Sequence, residues 1–266
     1  MSLGIYLFCL TSKNPLPEIV GLGIDGEHPL LAEAIGDVVA VVSEVALEDF
    51  SGPESRKLLE DLAWIGPRAL RHEEVIMAVM RRFPVLPVRF GTVFSSIKAL
   101  AEPLRRHRDA LSKFFLDTAG TKEWSIRAYA DMPQVRSHVL ETRLAAEKGQ
   151  LAGLSPGKRY FLEQKIKGAA DREATSWLKG VGADIVRIVQ KASSAFSERR
   201  LLSQDVTGIE GEMFFHGAFL VPDLSVDVLQ SMTREWNGIH ESQGLRLEIS
   251  GPWPPYHFVP SLETQS

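Results

Sequence analysis

Residues 5–10, Ile-Tyr-Leu-Phe-Cys-Leu, carry an apolar side chain at every position. Successive side chains of a strand point to opposite faces, so Ile5, Leu7 and Cys9 serve one face and Tyr6, Phe8 and Leu10 the other. A strand of this kind needs cover on both sides, which predicts a central strand buried on two faces. The 266 residues, 44% hydrophobic and 24% charged, suffice for one large or two small domains and exclude a disordered chain.

Charge and cysteine usage remove further classes. Thirty Lys and Arg against 34 Asp and Glu give a net charge of -4, so no whole-molecule positive field exists to hold nucleic acid or anionic lipid. The single cysteine, Cys9, forbids an intrachain disulfide and a Cys-rich zinc site and makes the cytoplasm the expected compartment. No basic residue precedes the apolar residues 1–10 and no small-residue cleavage site follows, so they read as a strand and not as a leader. The longest uncharged run, residues 249–262, is broken by prolines, so no membrane span is expected.

Periodicity orders the rest. Short strands are predicted at residues 19–24, ending in the turn dipeptide Asp25-Gly26, and at 38–42. From 54 to 83, Leu58, Leu62, Ile65, Ala69, Ile76, Val79 and Phe83 form an apolar helical stripe, with a kink or restart expected at Gly66-Pro67. Residues 85–90 read as a strand in which Pro84 and Pro87 favour an edge or a strand end, 95–117 as a helix opened by a serine cap, and 123–130 as a half-buried strand. Helices follow at 134–150 and 157–198; the second would measure ~60 Å unbroken, so Gly168, Gly180 and Gly182 are candidates for a bend. A strand pair at 201–206 and 213–221, a helix marked by Leu224, Val228, Met232, Trp236 and Ile239, and a strand through Leu245, Leu247 and Ile249 complete the pattern.

The expected fold is therefore α+β, with two ferredoxin-like-derived domains built on antiparallel sheets: residues 1–119, and residues 120–250 with an enlarged helical hairpin. Residues 251–266 form a proline-aromatic tail, in which Trp253, Tyr256 and Phe258 need cover from their own domain or from another chain.

Three catalytic patterns match on paper and fail on physics. Gly21-Leu22-Gly23-Ile24-Asp25-Gly26 fits the dinucleotide pattern, but only Ile19-Val20 precede it and no helix opens at the last glycine. In Gly153-Leu154-Ser155-Pro156-Gly157 the residue after the nominal nucleophile must donate its N–H to an oxyanion, and Pro156 has none. His72-Glu73-Glu74-Val75-Ile76 has Ile76 where a second imidazole must ligate zinc, and His72 lies on the apolar stripe, which predicts a hydrogen-bonded core or interface histidine. No catalytic, cofactor-binding or metal-ligating residue is assigned. Between Arg68 and Lys113 ten basic residues face four acidic ones, which reads as a solvated helix face or a local positive face for an acidic partner. No RNA-binding aromatic signature accompanies them.

Three segments together resemble the GvpL/GvpF family of gas vesicle proteins: Pro84-Val85-Leu86-Pro87-Val88-Arg89-Phe90-Gly91-Thr92-Val93-Phe94, Trp64-Ile65-Gly66-Pro67-Arg68-Ala69 with Arg71-His72-Glu73, and Gly251-Pro252-Trp253-Pro254-Pro255-Tyr256-His257-Phe258. Tyr6, Trp124 and residues 157–162 extend the resemblance over nearly the whole chain. It implies a non-enzymatic accessory protein of gas vesicle assembly and minor vesicle component. Such a protein binds the main hydrophobic shell protein and other accessory proteins and keeps the shell protein from aggregating during nucleation. Arg89, Phe90, Trp253 and Tyr256 are the candidate partner-binding residues, because they lie in the recognisable motifs. The rival expectation is a ferredoxin-like ligand-binding protein or enzyme, since that architecture hosts many functions.

Overall fold

The structure, a computed structural model, describes residues 2–12, 19–52 and 55–261. The chain divides into two compact units, Met1–Glu123 with Pro252–Ser266, and Trp124–Gly251.

In the first unit, β1 (Leu3–Ser12), β2 (Leu30–Ile35), β3 (Val38–Ala46), β4 (Val85–Pro87) and β5 (Val93–Phe94) form one antiparallel sheet in the order β2-β3-β1-β4, with β5 also on β1. Helices α1 (Ser55–Glu60), α2 (Leu62–Met80), α3 (Ile97–Arg106) and α4 (Arg108–Asp117) complete it. The central strand is buried on both faces, as its composition requires. Tyr6, Phe8 and Cys9 meet Val75, Ile76 and Val79 of α2, whereas Leu7 and Leu10 meet Leu100 and Leu104 of α3 and Leu111 and Phe114 of α4.

The strict alternation expected over residues 5–10 does not hold. The pairing with β3 slips between Leu7 and Cys9, which face Val42 and Val41, and Phe8 is the extra residue of a β-bulge. The bulge reverses the phase, so Cys9 joins Tyr6 on one face and Leu10 joins Leu7 on the other.

Residues 19–24 form no strand either. They contribute one isolated bridge, Leu22 to Pro29, and the edge strand begins at Leu30. The Asp25 carboxylate accepts from the amides of Glu27 and His28, fixing a turn that a continuous strand would lack. The break in the first helical region lies at Asp61, which caps α2 by accepting from Ala63 N at 2.9 Å, and not at Gly66-Pro67. Pro67 sits inside α2, where it removes the one backbone bond that would reach Ala63. Residues 95–117 are two helices meeting at His107, with Ser96 as the first cap.

The second unit contains β6 (Thr121–Ala130), α5 (Met132–Ala146), α6 (Lys148–Ala152), α7 (Pro156–Val189), β7 (Ala195–Glu198), α8 (Gln204–Thr207), β8 (Glu212–Pro222), α9 (Val226–His240) and β9 (Leu245–Trp253). Its sheet order, β7-β8-β6-β9, places the first and third strands at the centre. With the connection pattern β-α-β-β-α-β this is the ferredoxin-like arrangement with an enlarged first crossover.

Helix α7 runs 34 residues without a break, about 50 Å at 1.5 Å per residue, so none of the three candidate glycines bends it. Its length is accommodated because it packs on α5 as well as on the sheet. Ala174, Leu178, Val181 and Ile185 recur at three- or four-residue steps along its buried side. It ends at Val189, and the chain then supplies β7, paired to β8, at residues where helix was expected. Residues 201–206 form no strand; α8 begins at Gln204. Strand β6 is not half-buried, because Glu123, Ser125 and Tyr129 are as enclosed as Trp124 and Ile126. On β8, a Cβ at Gly217 would stand 2.7 Å from the Phe196 ring, so the glycine makes room for the phenylalanine cluster around it.

Helix α9 is present where its periodicity placed it, but it is turned. Leu229, Thr233 and Trp236 are buried, while Leu224 just before the helix, Val228 and Ile239 are exposed. Asn237 explains part of the orientation. Its side-chain amide donates to Leu247 O at 2.9 Å and accepts from Leu247 N at 2.7 Å, which satisfies the backbone of β9 and pins the helix to that strand. Leu229→Ala is expected to cost about 2–5 kcal/mol in urea denaturation of the full chain. Val228→Ala, one residue away, is expected to stay within about 0.5 kcal/mol; equal costs would contradict this orientation.

Candidate functional site

The motif-bearing segments converge in the first unit on a hydrogen-bonded circuit. The imidazole of His72 on α2 lies with Nε2 3.1 Å from Val88 O and Nδ1 2.9 Å from the Tyr6 hydroxyl on β1. A carbonyl only accepts, so Nε2 carries the proton, and Nδ1 accepts from Tyr6. The Tyr6 oxygen in turn accepts from Gly91 N at 3.1 Å. Every polar atom of this buried group has a partner, as burial demands. Burial pushes the His72 pKa down, and burial also pushes that of Tyr6 up.

Aromatic rings enclose the circuit. Phe8 stacks on His72 and Phe90 meets it edge-on, each at 5.8 Å between ring centres, while Phe50 links Tyr6, Phe90 and Trp64. Arg68 lies over Trp64 at 4.1 Å and donates to its carbonyl, so the Trp64–Arg68 motif is a cation–π contact one helical turn long. Gly91 adopts φ +80°, which an L side chain rarely reaches, and the turn it closes is held by Thr92 Oγ1 donating to Arg89 O at 2.6 Å.

The tail returns to this same unit. Tyr256 OH donates to Glu73 Oε1 at 2.6 Å, and His257 N donates to Glu123 Oε2 at 3.0 Å while its imidazole Nδ1 bonds to Glu123 Oε1. Burial, then the adjoining Glu73, push the Tyr256 pKa up. Tyr256 packs against the α2 side of the sheet, and Phe258 and Val259 against the α3–α4 side.

Among the four candidate residues, Phe90 and Tyr256 pack against one core cluster, whereas Arg89 is exposed and Trp253 is 45% exposed at the end of β9. In the sequence Glu73 stands only as part of the His72-Glu73-Glu74 and Arg71-His72-Glu73 motifs, and Glu123 only as a position alternating with Trp124; neither reads there as an anchor of the tail. The signal for Glu123 is a carboxylate in a strand that proves buried on both faces. Much of the basic stretch is neutralised on the surface, by Arg106–Glu102, Arg108–Asp37, Lys113–Asp117 and Arg71–Glu74. In the second unit, Ser125 Oγ lies 3.2 Å from His216 Nε2, and His216 Nδ1 bonds to Arg200 O, so this strand histidine is also held. Among the described residues no group of three His, Cys, Asp or Glu assembles to hold a metal.

A family model, gas vesicle synthesis protein GvpL/GvpF, matches residues 4–260. The chain belongs to the GvpL/GvpF family. Gas vesicle protein L of Streptomyces sp. (strain CB03234) is 27% identical over 237 residues, covering 89% of this chain and 85% of that protein. In structure, the chain resembles the gas vesicle protein GvpF from Anabaena sp. PCC7120 at a TM-score of 0.72 and 19% identity, over 97% of this chain and 99% of that one. The GvpF of Microcystis aeruginosa follows at 0.62 and 20% identity, with the same coverage. These likenesses show a shared mixed helix and antiparallel-sheet fold, and membership gives this GvpL/GvpF protein a gas vesicle role.

Tyr6→Phe leaves His72 Nδ1 and Gly91 N–H without a partner, and is expected to destabilise the protein by about 1–3 kcal/mol. Because the folded His72 pKa is depressed, its stabilising contribution is full above the unfolded value of about 6.5 and is lost as pH falls from there through the folded pKa. His28 runs the other way: its bond to Asp25 raises its pKa, so its contribution is present below about 6.5 and is lost as pH rises through the folded pKa. His28 lies at the surface, so water screens its effect. The denaturation midpoint is therefore expected to drop on acidification below about pH 6.5, and His72→Gln to flatten that slope. An unchanged slope in the variant would contradict the assignment.

Proposed function

We propose that this protein is a non-enzymatic accessory factor and minor component of gas vesicles. In this reading it binds the main hydrophobic shell protein and keeps that protein from aggregating during vesicle nucleation. It acts in the cytoplasm and at the vesicle, with the shell protein and other accessory proteins as partners and with neither nucleic acid nor membrane. No described helix is long and apolar enough to cross a bilayer.

The observation that supports shell-protein binding is apolar surface on a chain that is otherwise well charged. Leu224, Val228 and Ile239 lie on the outer side of α9 and the residue that leads into it, and Tyr160 and Phe161 are exposed in the first turns of α7. Scattered exposed leucines need no explanation, but Val228 and Ile239 share one side of α9, with Leu224 in the turn before it, and apolar groups gathered in this way suit the cover of an apolar partner. Binding the subunit in its dispersed form shifts the equilibrium away from self-association by mass action.

Co-expression with a tagged main shell protein is expected to give stable capture and to suppress its aggregation, read by pull-down and light scattering. Val228→Asp with Ile239→Asp is expected to lower capture severalfold while leaving the melting temperature of the chain unchanged, because both positions are exposed. Full capture by that variant would remove α9 from the contact, and absence of capture by the folded wild-type chain would refute direct shell-protein binding.

A further inference from the structure

The first unit holds a cleft of about 690 Å³ between residues 19–22 with Leu30 on one side and the C-terminal half of α2 on the other. We infer that this cleft is a docking groove for an amphipathic helix of a partner protein that carries carboxylates at both ends of its apolar stripe. The inference concerns a different surface from the α9 face and does not rest on the shell-protein reading.

The α2 side of the groove is one helical stripe. Arg71, Glu74, Val75, Ala78 and Val79 stand at i, i+3, i+4, i+7 and i+8 of the helix and line the cleft, and Arg82 joins them from the turn just past Met80. The eight steps from Arg71 to Val79 at 1.5 Å each give about 12 Å of groove along α2, a little over two turns of helix, before the turn that carries Arg82. Its centre is apolar: Val75, Val79 and Leu30 belong to the core beneath, and Phe83 closes one end. Opposite them Leu22 is half exposed and Val20 is 88% exposed, so apolar side chains on the facing wall stand in water.

Cations bracket this floor. Arg71 stands at one end, in a surface pair with Glu74 at 3.3 Å, and Arg81 and Arg82 stand at the other, exposed and with no ion-pair partner among the described residues. The rim carries three positive charges against one negative in a chain whose net charge is -4. The dipole of α2 favours cations at its C-terminus, which accounts for Arg81 and Arg82 but not for the exposed Val20, Leu22 and Ala78 that face the cleft above the buried floor. A helix laid in the groove would bury its apolar face there and place carboxylates on Arg81 and Arg82 at one end and, in exchange for Glu74, on Arg71 at the other. A single-chain anionic amphiphile matches less of the site, since it has one charged end and the groove has two.

The test uses the full-length chain and a fluorescein-labelled helical peptide of about fifteen residues, with leucines at i, i+3, i+4 and i+7 and glutamates at both ends, followed by fluorescence anisotropy. The glutamate peptide is expected to bind at least about tenfold more tightly than a counterpart with lysines at the ends, with an affinity that falls as salt rises. Arg81→Glu with Arg82→Glu is expected to reverse that preference, and Ala78→Trp, which fills the groove from an exposed position, to abolish binding of both peptides while melting temperature and circular dichroism stay unchanged. Equal binding of the two peptides, no effect of either variant, or no binding at all overturns the inference. Saturable binding of sodium laurate that displaces the peptide and is lost in Ala78→Trp overturns it in favour of a small amphiphile. Because shell-protein capture is read on α9, failure here leaves that reading standing, and failure of capture leaves this one standing.

Discussion

The first unit depends on His72 being neutral and fully hydrogen-bonded inside an apolar shell. An imidazole wedged between Phe8 and Phe90 is tolerable only if both nitrogens have partners, and the two partners come from different parts of the chain: Tyr6 from β1 and Val88 from the segment after β4. Tyr6 passes the constraint on to Gly91, whose left-handed backbone turns the chain from β4 towards β5. One side chain on α2 thus sets the distance of the helix from the sheet and the path of the loop between the two short strands. The segments at residues 64–73 and 84–94 build that circuit: Trp64 and Arg68 form its outer wall, and Phe90 is a shell residue more than an exposed contact.

That geometry also explains what could and could not be read from sequence. The two-faced burial of β1 was legible because an unbroken apolar run admits no other environment. The bulge at Phe8 was not, because when both faces are apolar a change of phase leaves no trace in the pattern. The same ambiguity misplaced the first edge strand. Residues 19–24 and 30–35 are both short and apolar, and the choice between them was made by the Asp25 turn and by pairing with β3. On α9, Leu224, Val228 and Ile239 have the spacing of a core stripe, but the Asn237 clamp on Leu247 turns the Leu229–Trp236 face inward. Periodicity gave the helix and tertiary hydrogen bonding gave its rotation.

The candidate site was legible to a similar depth. Sequence motifs found the segments, and for His72 the residue pattern excluded zinc chemistry in favour of a buried hydrogen-bonded role, which is the role it has. The role of the carboxylates that receive the tail was hidden, because Glu73 lies in a Glu73-Glu74 pair that reads as ordinary helix surface and Glu123 becomes conspicuous only once β6 is known to be buried on both faces. The stripe of arginines and valines on α2 is readable as a helix face, but its status as an uncovered groove depends on residues 19–22 lying across from it, which no local pattern encodes.

The tail imposes an order on the folding of the first unit. Its last described residues close both core clusters, Tyr256 on one and Phe258 with Val259 on the other, and His257 is the partner of the otherwise enclosed Glu123 carboxylate. Until residue 258 is available, that carboxylate lacks its backbone and imidazole donors and the apolar edges beneath the tail lack cover, a state that costs free energy on both counts. A nascent chain makes the N-terminal strands first and the tail last, with the whole of Trp124–Gly251 synthesised in between. The first unit therefore reaches its final stability only after the second has been made, and truncation near residue 250 acts on the N-terminal half of the protein although the sequence removed is at the other end.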